Sequence, residues 1–223
     1  MIDYQIIATG STGNAVVIER SVLVDVGVPY KKIEPYMGDI KLVLLSHVHS
    51  DHFKASTLRR MALEKPLLRF GCGAFLVDKV VKAGVPKQQI DILIPNMLYG
   101  YGICNVIPVE LLHDVPNFGY KIHFPHGKLF YATDTGSLSM VSARGYDLYM
   151  VESNYKDEEL RERMDAKLAS GQYAYEQRAL KYHLSEKKAV DWLYKNMGRN
   201  SEYVFLHAHV DRGDGDDSRN QNG

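Results

Sequence analysis

The segment His47-Val-His49-Ser-Asp51-His52 packs three imidazoles and a carboxylate into six residues, directly after the apolar run Leu42 to Leu45. No other stretch constrains the chain as tightly. Histidines one residue apart on an extended turn can point to the same side, and Asp51-His52 supplies a second group of donors a few ångströms away. Two metal ions can therefore sit side by side. A loop that is merely rich in histidine is the competing reading, but further donors follow in order, each at the end of an apolar run. Val106 to Leu112 leads into His113, Leu129 to Thr133 into Asp134, and Tyr203 to Leu206 into His207.

This series, His-x-His-x-Asp-His, then a lone His, an Asp and a final His, resembles the ligand series of the metallo-β-lactamase fold. The resemblance runs from about Tyr4 to about His209. Within that superfamily the chain is most similar to small nuclease-like members. Ala8-Thr-Gly10-Ser-Thr-Gly13-Asn14 and Val22-Leu-Val-Asp25-Val-Gly27 resemble their Gly-rich turn and their Asp-x-Gly strand end. His113-Asp114 followed by Phe118-Gly119-Tyr120 resembles their third motif.

The fold that the resemblance implies is α/β, a four-layer αβ/βα sandwich, and the element pattern agrees with it. Strands are expected at Tyr4 to Ala8, Ala15 to Glu19, Val22 to Val26 and Lys41 to Ser46, with a short helix over Pro29 to Met37. Helical spacing covers Ala55 to Glu64 and Gly73 to Ala83, the latter stopped by Gly84 and Pro86. Strand character returns at Ile90 to Ile94 and Tyr101 to Leu112. Tyr120 to Phe124 and Lys128 to Thr133 flank a hairpin signal at Pro125-His126-Gly127. Leu148 to Glu152 reads as a strand and Lys156 to Tyr182 as one or two charged helices. Ser185 caps a helix running to Asn196, Gly198 stops it, and a last strand spans Tyr203 to Leu206.

A chain of 223 residues suits one domain, expected over residues 1–210, with a disordered tail over 211–223 that carries no apolar side chain after Val210. Lysine plus arginine equals aspartate plus glutamate at 27 each, so any nucleic-acid contact must come from a local patch and the metals. No segment approaches the roughly eighteen apolar residues of a membrane span, and the N-terminus has no basic region ahead of an apolar one. A soluble, cytoplasmic protein without membrane contact is expected. Cys72 and Cys104 are not in a Cys-x-x-Cys pattern and read as reduced, packed thiols.

The resemblance assigns His47, His49 and His113 to one metal, and Asp51, His52 and the final histidine to the other, with Asp134 bridging. His207 is favoured over His209 as the closing ligand because it follows the apolar run directly. Donors that are all imidazole nitrogen or carboxylate oxygen suit two divalent ions, zinc first, manganese or iron next. A hydroxide held by the pair is then the nucleophile. Asp25 looks like the carboxylate that orients the ligand loop, though an aspartate ending a strand at a turn reads the same way.

Glu152 and His183 resemble the glutamate and histidine of nuclease members such as ribonuclease Z, where the histidine protonates the leaving oxygen and the glutamate orients it. A surface histidine preceding a helix is the alternative. The candidate catalytic residues are thus Asp51, Glu152 and His183. His-Leu-Ser185 stands where ribonuclease Z has His-Ser-Thr, which brings the chain nearer its exonuclease-like relatives. The interval from Asp134 to His183 is too short for the inserted domain of ribonuclease J, and the long Gly- and Pro-rich arm of ribonuclease Z is missing. In its place Lys156 to Tyr182 interleaves Arg161, Arg163, Lys167, Arg178 and Lys181 with Tyr173, Tyr175 and Tyr182. It reads as a substrate cover or as a solvated helix.

The first functional expectation is a dinuclear-metal phosphodiesterase acting on nucleic acid, DNA or RNA. The second is a hydrolase of a small ester, lactone, thioester or cyclic phosphodiester on the same metals. A binding module that keeps the metals without turnover is the third.

Overall fold

A computed structural model describes residues 1–169 and 176–207. The expected tail, His209, Tyr173 and Tyr175 lie outside the described residues. Two six-stranded sheets are built in strict chain order. The first runs through β1 (Tyr4–Ala8), β2 (Ala15–Ile18), β3 (Val22–Val24), β4 (Leu42–Leu45), β5 (Arg69–Gly73) and β6 (Ile90–Leu93). The second runs through β7 (Tyr99–Gly100), β8 (Asn105–Leu111), β9 (Asn117–Phe124), β10 (Gly127–Ala132), β11 (Leu148–Glu152) and β12 (Glu202–Leu206). Each sheet opens with antiparallel hairpins and ends in parallel strands joined by crossovers.

The alternation of side chains along the strands sets the layers. Val22, Val24, Leu42 and Leu44 face inward, against Tyr120, Ile122, Leu129, Tyr131, Leu148 and Met150 of the other sheet. Their neighbours Leu23, Val43 and Leu45 face outward and pack on α1 (Tyr30–Ile33), α2 (Ala55–Glu64) and α3 (Ala74–Lys82) through Ile33, Leu58, Met61, Leu76 and Val80. On the far side Phe130, Tyr149 and Val151 meet α6 (Glu186–Asn196) through Ala189, Trp192 and Leu193. This is the α/β/β/α sandwich expected. Each aliphatic side chain fully buried in it contributes about 1.5–3 kcal/mol relative to exposure.

Ser185 caps α6, its hydroxyl accepting the Lys188 amide at 3.3 Å, and the hairpin turns at Pro125-His126 with Phe124 paired to Gly127. The segment after Lys156 forms α4 (Asp157–Ala169) and α5 (Glu176–Tyr182). Strand β5 departs from the sequence reading, which has no strand there. Its Arg-Phe-Gly-Cys-Gly sequence hides the pattern, because two residues lack side chains. Both glycines answer close approach: a Cβ at Gly73 would lie 2.2 Å from the Phe75 ring, and one at Gly71 would lie 3.0 Å from Leu93. Strand β3 also stops at Val24 rather than Val26, since Asp25 turns to a φ of 61°. Both cysteines are buried, and burial pushes each thiol up to about 12, so both are inert at neutral pH.

Two hydrogen bonds cross between the sheets just ahead of the histidine-rich loop. The Tyr120 hydroxyl donates to the Leu45 carbonyl at 2.5 Å, and the Phe118 amide donates to the Ser46 carbonyl at 3.1 Å.

Candidate metal centre

The donor groups stand at the carboxyl ends of β4, β8, β10 and β12, on one rim of the sandwich. Parallel strands leave loops free at that end to hold a ligand. Asp25, Asp134 and His207 each end a strand in left-handed backbone, at φ of 61°, 56° and 55°. Non-glycine residues rarely adopt this conformation, and it tends to persist where the surroundings impose it at functional sites.

The loop from Ser46 to Phe53 is clamped from below. Its Asp51 carbonyl accepts the Asn14 amide at 2.6 Å, and its His52 carbonyl accepts the Val26 amide at 2.9 Å. Gly27 lies so close that a Cβ there would sit 1.7 Å from the Asp51 oxygen. Gly13 takes a φ of 144°, and a Cβ on it would meet the Gly27 carbonyl at 2.8 Å. The glycines of the two N-terminal motifs therefore seat the ligand loop.

Asp25, fully buried, sets the protons of two histidines. Its Oδ1 accepts the Ser46 amide at 2.8 Å and its Oδ2 the Ser46 hydroxyl at 2.8 Å. Because that hydroxyl donates to Asp25, it accepts from His47 Nδ1 at 2.9 Å. His52 Nδ1 lies 2.7 Å from Asp25 Oδ2 and donates to it. His113 Nδ1 donates to the Tyr182 carbonyl at 3.1 Å. In all three imidazoles Nδ1 is thus occupied and Nε2 is the nitrogen left for the site, the arrangement by which outer partners orient metal-binding histidines.

Those nitrogens converge. His47 Nε2 is 3.1 Å from His49 Nδ1, which is 3.3 Å from His113 Nε2. Across the site Asp51, His52 and His207 form a second group, with His207 Nε2 3.5 Å from Asp51 Oδ2. Asp134 stands between the groups: Oδ2 is 2.9 Å from His52 Nε2, and Oδ1 is 3.4 Å from His207 Nε2 and 3.9 Å from His113 Nε2. The structure thus brings together all seven residues predicted as ligands, in two clusters that share a carboxylate.

The set fits divalent ions on its own chemistry. Nitrogens of His47, His49 and His113 crowd within 3.3 Å of their neighbours, with the buried Asp134 carboxylate beside them, an arrangement that a cation satisfies. Burial holds His47 well below the usual imidazole range, with His52 adding to it, and burial also lowers His113. Burial pulls the same way on His52, but the Asp134 and Asp25 carboxylates overcome it and hold that imidazole well above its usual value. Asp134 shows the counterpart: burial favours its neutral form, yet His52 and His207 keep it well below the carboxylate range.

His183 and Glu152 lie against the centre. His183 Nδ1 is 2.5 Å from Glu152 Oε1 and 3.8 Å from Asp134 Oδ1, and its ring stacks on His207 with centroids 5.4 Å apart. Glu152 is wholly buried, its Oε2 accepting the Thr135 amide at 2.9 Å and the Leu184 amide at 3.2 Å. Burial disfavours charge on His183, but the bond and charge of Glu152 outweigh it and raise the imidazole above its ordinary value.

The structure gives roles to residues that the sequence reading left without one. Ser46 relays Asp25 to His47. Asn154 places its amide 3.1 Å from His207 Nδ1, and Thr9 accepts the His207 amide at 2.7 Å. Asn117 donates to the carbonyls of Thr133 and Asp134 at 2.9 and 2.7 Å. Asp114 Oδ1 stands 3.1 Å from His113 Nε2 and 3.5 Å from His49 Nε2, with its other oxygen paired to Arg178 of α5. Adjacency to a ligand was the available signal for Ser46 and Asp114. His123 and His126 stand apart, bonded to Tyr146 and Glu19.

Comparison with known proteins agrees with this geometry. Exodeoxyribonuclease WalJ of Streptococcus pneumoniae serotype 2 (strain D39 / NCTC 7466) is 27% identical over 231 residues, covering 91% of this chain and 80% of the relative. The metallo-β-lactamase fold protein YhfI from Bacillus subtilis superposes with a TM-score of 0.71 at 16% identity, over 93% of this chain and 86% of the other. Human tRNase Z, short form, superposes at 0.69 and 17% identity, over 93% and 92%. Residues 23–208 match the family model of the Beta-lactamase superfamily domain. With that match over most of its length, the sandwich and the paired metal-binding clusters, the chain belongs to the metallo-β-lactamase superfamily.

Proposed function

We propose that the protein is a metal-dependent phosphodiesterase that cleaves nucleic acid, with DNA as the favoured substrate. The observation that carries this reading is the His183–Glu152 pair beside Asp134. An alkoxide is a poor leaving group, so phosphodiester cleavage gains from a proton delivered as the bond breaks, typically about 10²- to 10⁴-fold. Glu152 is fixed by two backbone amides and holds the Nδ1 proton of His183, which leaves Nε2 as the nitrogen that gives its proton away. The hydrogen bond and charge of Glu152 favour the protonated form of His183. The exodeoxyribonuclease activity named for the WalJ relative supports DNA over RNA.

Two ions, zinc first, are expected to be held by His47, His49, His113, Asp51, His52 and His207 with Asp134 between them. When bound, they supply Lewis-acid stabilisation of phosphoryl charge and an acidified water. Asp51, Glu152 and His183 complete the proposed catalytic set. A cytoplasmic setting fits such a substrate.

Purified metal-loaded protein, incubated with end-labelled single- and double-stranded DNA and RNA alongside a lactone and a thioester, tests the proposal. Nucleotide release from DNA is expected. Turnover confined to the lactone or thioester would overturn it in favour of small-ester hydrolysis.

A further inference from the structure

A groove of about 400 Å³ runs between α6 and the segment 137–144 that follows the metal centre. Its walls carry Arg144, Lys188 and Lys195 against a single acid, Asp191, with the hydroxyls of Ser137 and Ser142 between them. Formal charge over the whole chain is +0, so this is a local surplus. None of the three cations makes an ion pair among the described residues, although Asp191 sits three positions from Lys188 and four from Lys195 on the same helix. They are exposed and uncommitted.

The placement is directional. Lys188 and Lys195 are two turns apart on one face of α6, on the order of 10 Å along its axis, and Arg144 faces them from the opposite wall. The floor between is Trp192, whose indole N–H is spent on the Val141 carbonyl at 2.9 Å, leaving it to offer apolar surface. Leu184 and Ser137 also line the groove. Leu184 directly follows His183, and Ser137 lies three residues beyond Asp134. A row of spaced cations with hydroxyls, lined by the residue that follows His183, has the chemistry of a phosphodiester backbone site.

We infer that this groove is the track along which a nucleic-acid strand lies as it leads up to His183. The inference rests on the nuclease reading and adds to it the residues that hold the strand outside the metal centre. Each cation neutralises a phosphate, so binding depends on ionic strength through these side chains.

The test uses the full metal-loaded chain and labelled oligothymidylate, with anisotropy read over a salt series. Arg144→Glu, Lys188→Glu and Lys195→Glu are made singly and together, with Lys31→Glu on the other half as control. Each single change should weaken binding about 3- to 10-fold and cut the salt slope by about 1. The triple variant should lose about 100-fold or more in affinity while hydrolysing bis-p-nitrophenyl phosphate at the wild-type rate, and the control should bind normally. Unchanged affinity and slope in the triple variant would overturn the groove, and continued strand cleavage by it would leave the nuclease reading standing. A parallel fall in small-diester turnover would also overturn it, by locating the effect at the metal centre. A wild-type protein that neither binds nor cleaves the strand yet hydrolyses small esters would remove both.

Discussion

Asp25 Oδ2 lies 2.7 Å from His52 Nδ1, both side chains sealed from solvent, and the same carboxylate reaches His47 through the Ser46 hydroxyl. One buried acid thereby fixes the tautomers of histidines that stand in two different metal-binding groups. Asp25→Asn keeps the shape but offers an amide where Ser46 and His52 both need an acceptor. It should weaken metal binding about 10- to 100-fold with the fold intact, as loss of an outer partner typically does. Titration with zinc against a competing chelator measures it, and wild-type affinity would show that the carboxylate only ends a strand.

Asp134→Ala removes the carboxylate shared by the two clusters. It should lower metal content from about two per chain to one or none and abolish turnover, because both groups lose a donor. Elemental analysis on the purified variant reads this directly. Full occupancy with retained activity would place the bridge elsewhere. His207→Ala should cost metal at one cluster only.

His183→Ala separates proton delivery from metal binding. The variant should keep its metals and lose about 10²- to 10⁴-fold in turnover on an ordinary phosphodiester. On a p-nitrophenyl ester, whose leaving group scarcely needs a proton, it should be nearly normal. Equal losses on both substrates would exclude His183 as the acid.

Glu152→Gln gives the pH-dependent form of that test. His183 must be protonated to act, and Glu152 raises its pKa through a hydrogen bond and a charge. Removing the charge lets the pKa fall. The alkaline limb of the rate profile should therefore move to lower pH, with the acidic limb unchanged. A shift to higher pH, or none, would refute the assignment.

Gly27→Ala puts a methyl group where the Asp51 carbonyl stands, 1.7 Å from its oxygen. The clash is with backbone and cannot be relieved by a rotamer. The change should cost more than about 3 kcal/mol, beyond ordinary overpacking, and lower metal affinity as the ligand loop is displaced. Thermal unfolding with and without metal separates the two effects.

The ligand positions were legible in the sequence because each donor follows directly on an apolar run, and strand ends bring such positions to one rim. His47, His113, Asp134 and His207 all obey that rule. The four layers were legible because strand runs, then helices, then strands again recur in two similar halves. Strand β5 was not, since its glycines give up their side chains to make room for Phe75, Leu93 and Tyr101. Asn154, Thr9 and Asn117 were equally hidden. Their roles depend on contacts between segments distant in the chain, and an isolated polar residue carries no mark of its future neighbour. The basic groove escaped notice because Arg144 and the lysines of α6 become a group only when the loop after Asp134 folds against that helix.

The bonds from Tyr120 to Leu45 and from Phe118 to Ser46 tie the second sheet to the root of the first sheet's ligand loop. His47 to His52 come from one half of the molecule, and His113, Asp134 and His207 from the other. The spacing between opposed donors is therefore a dimension inherited from how the halves are seated, much as the gap of a vice is set by its screw. A core substitution far from the rim that tilts one sheet by a fraction of an ångström would register first as altered metal preference, while the protein still folds and its ligands are all still present.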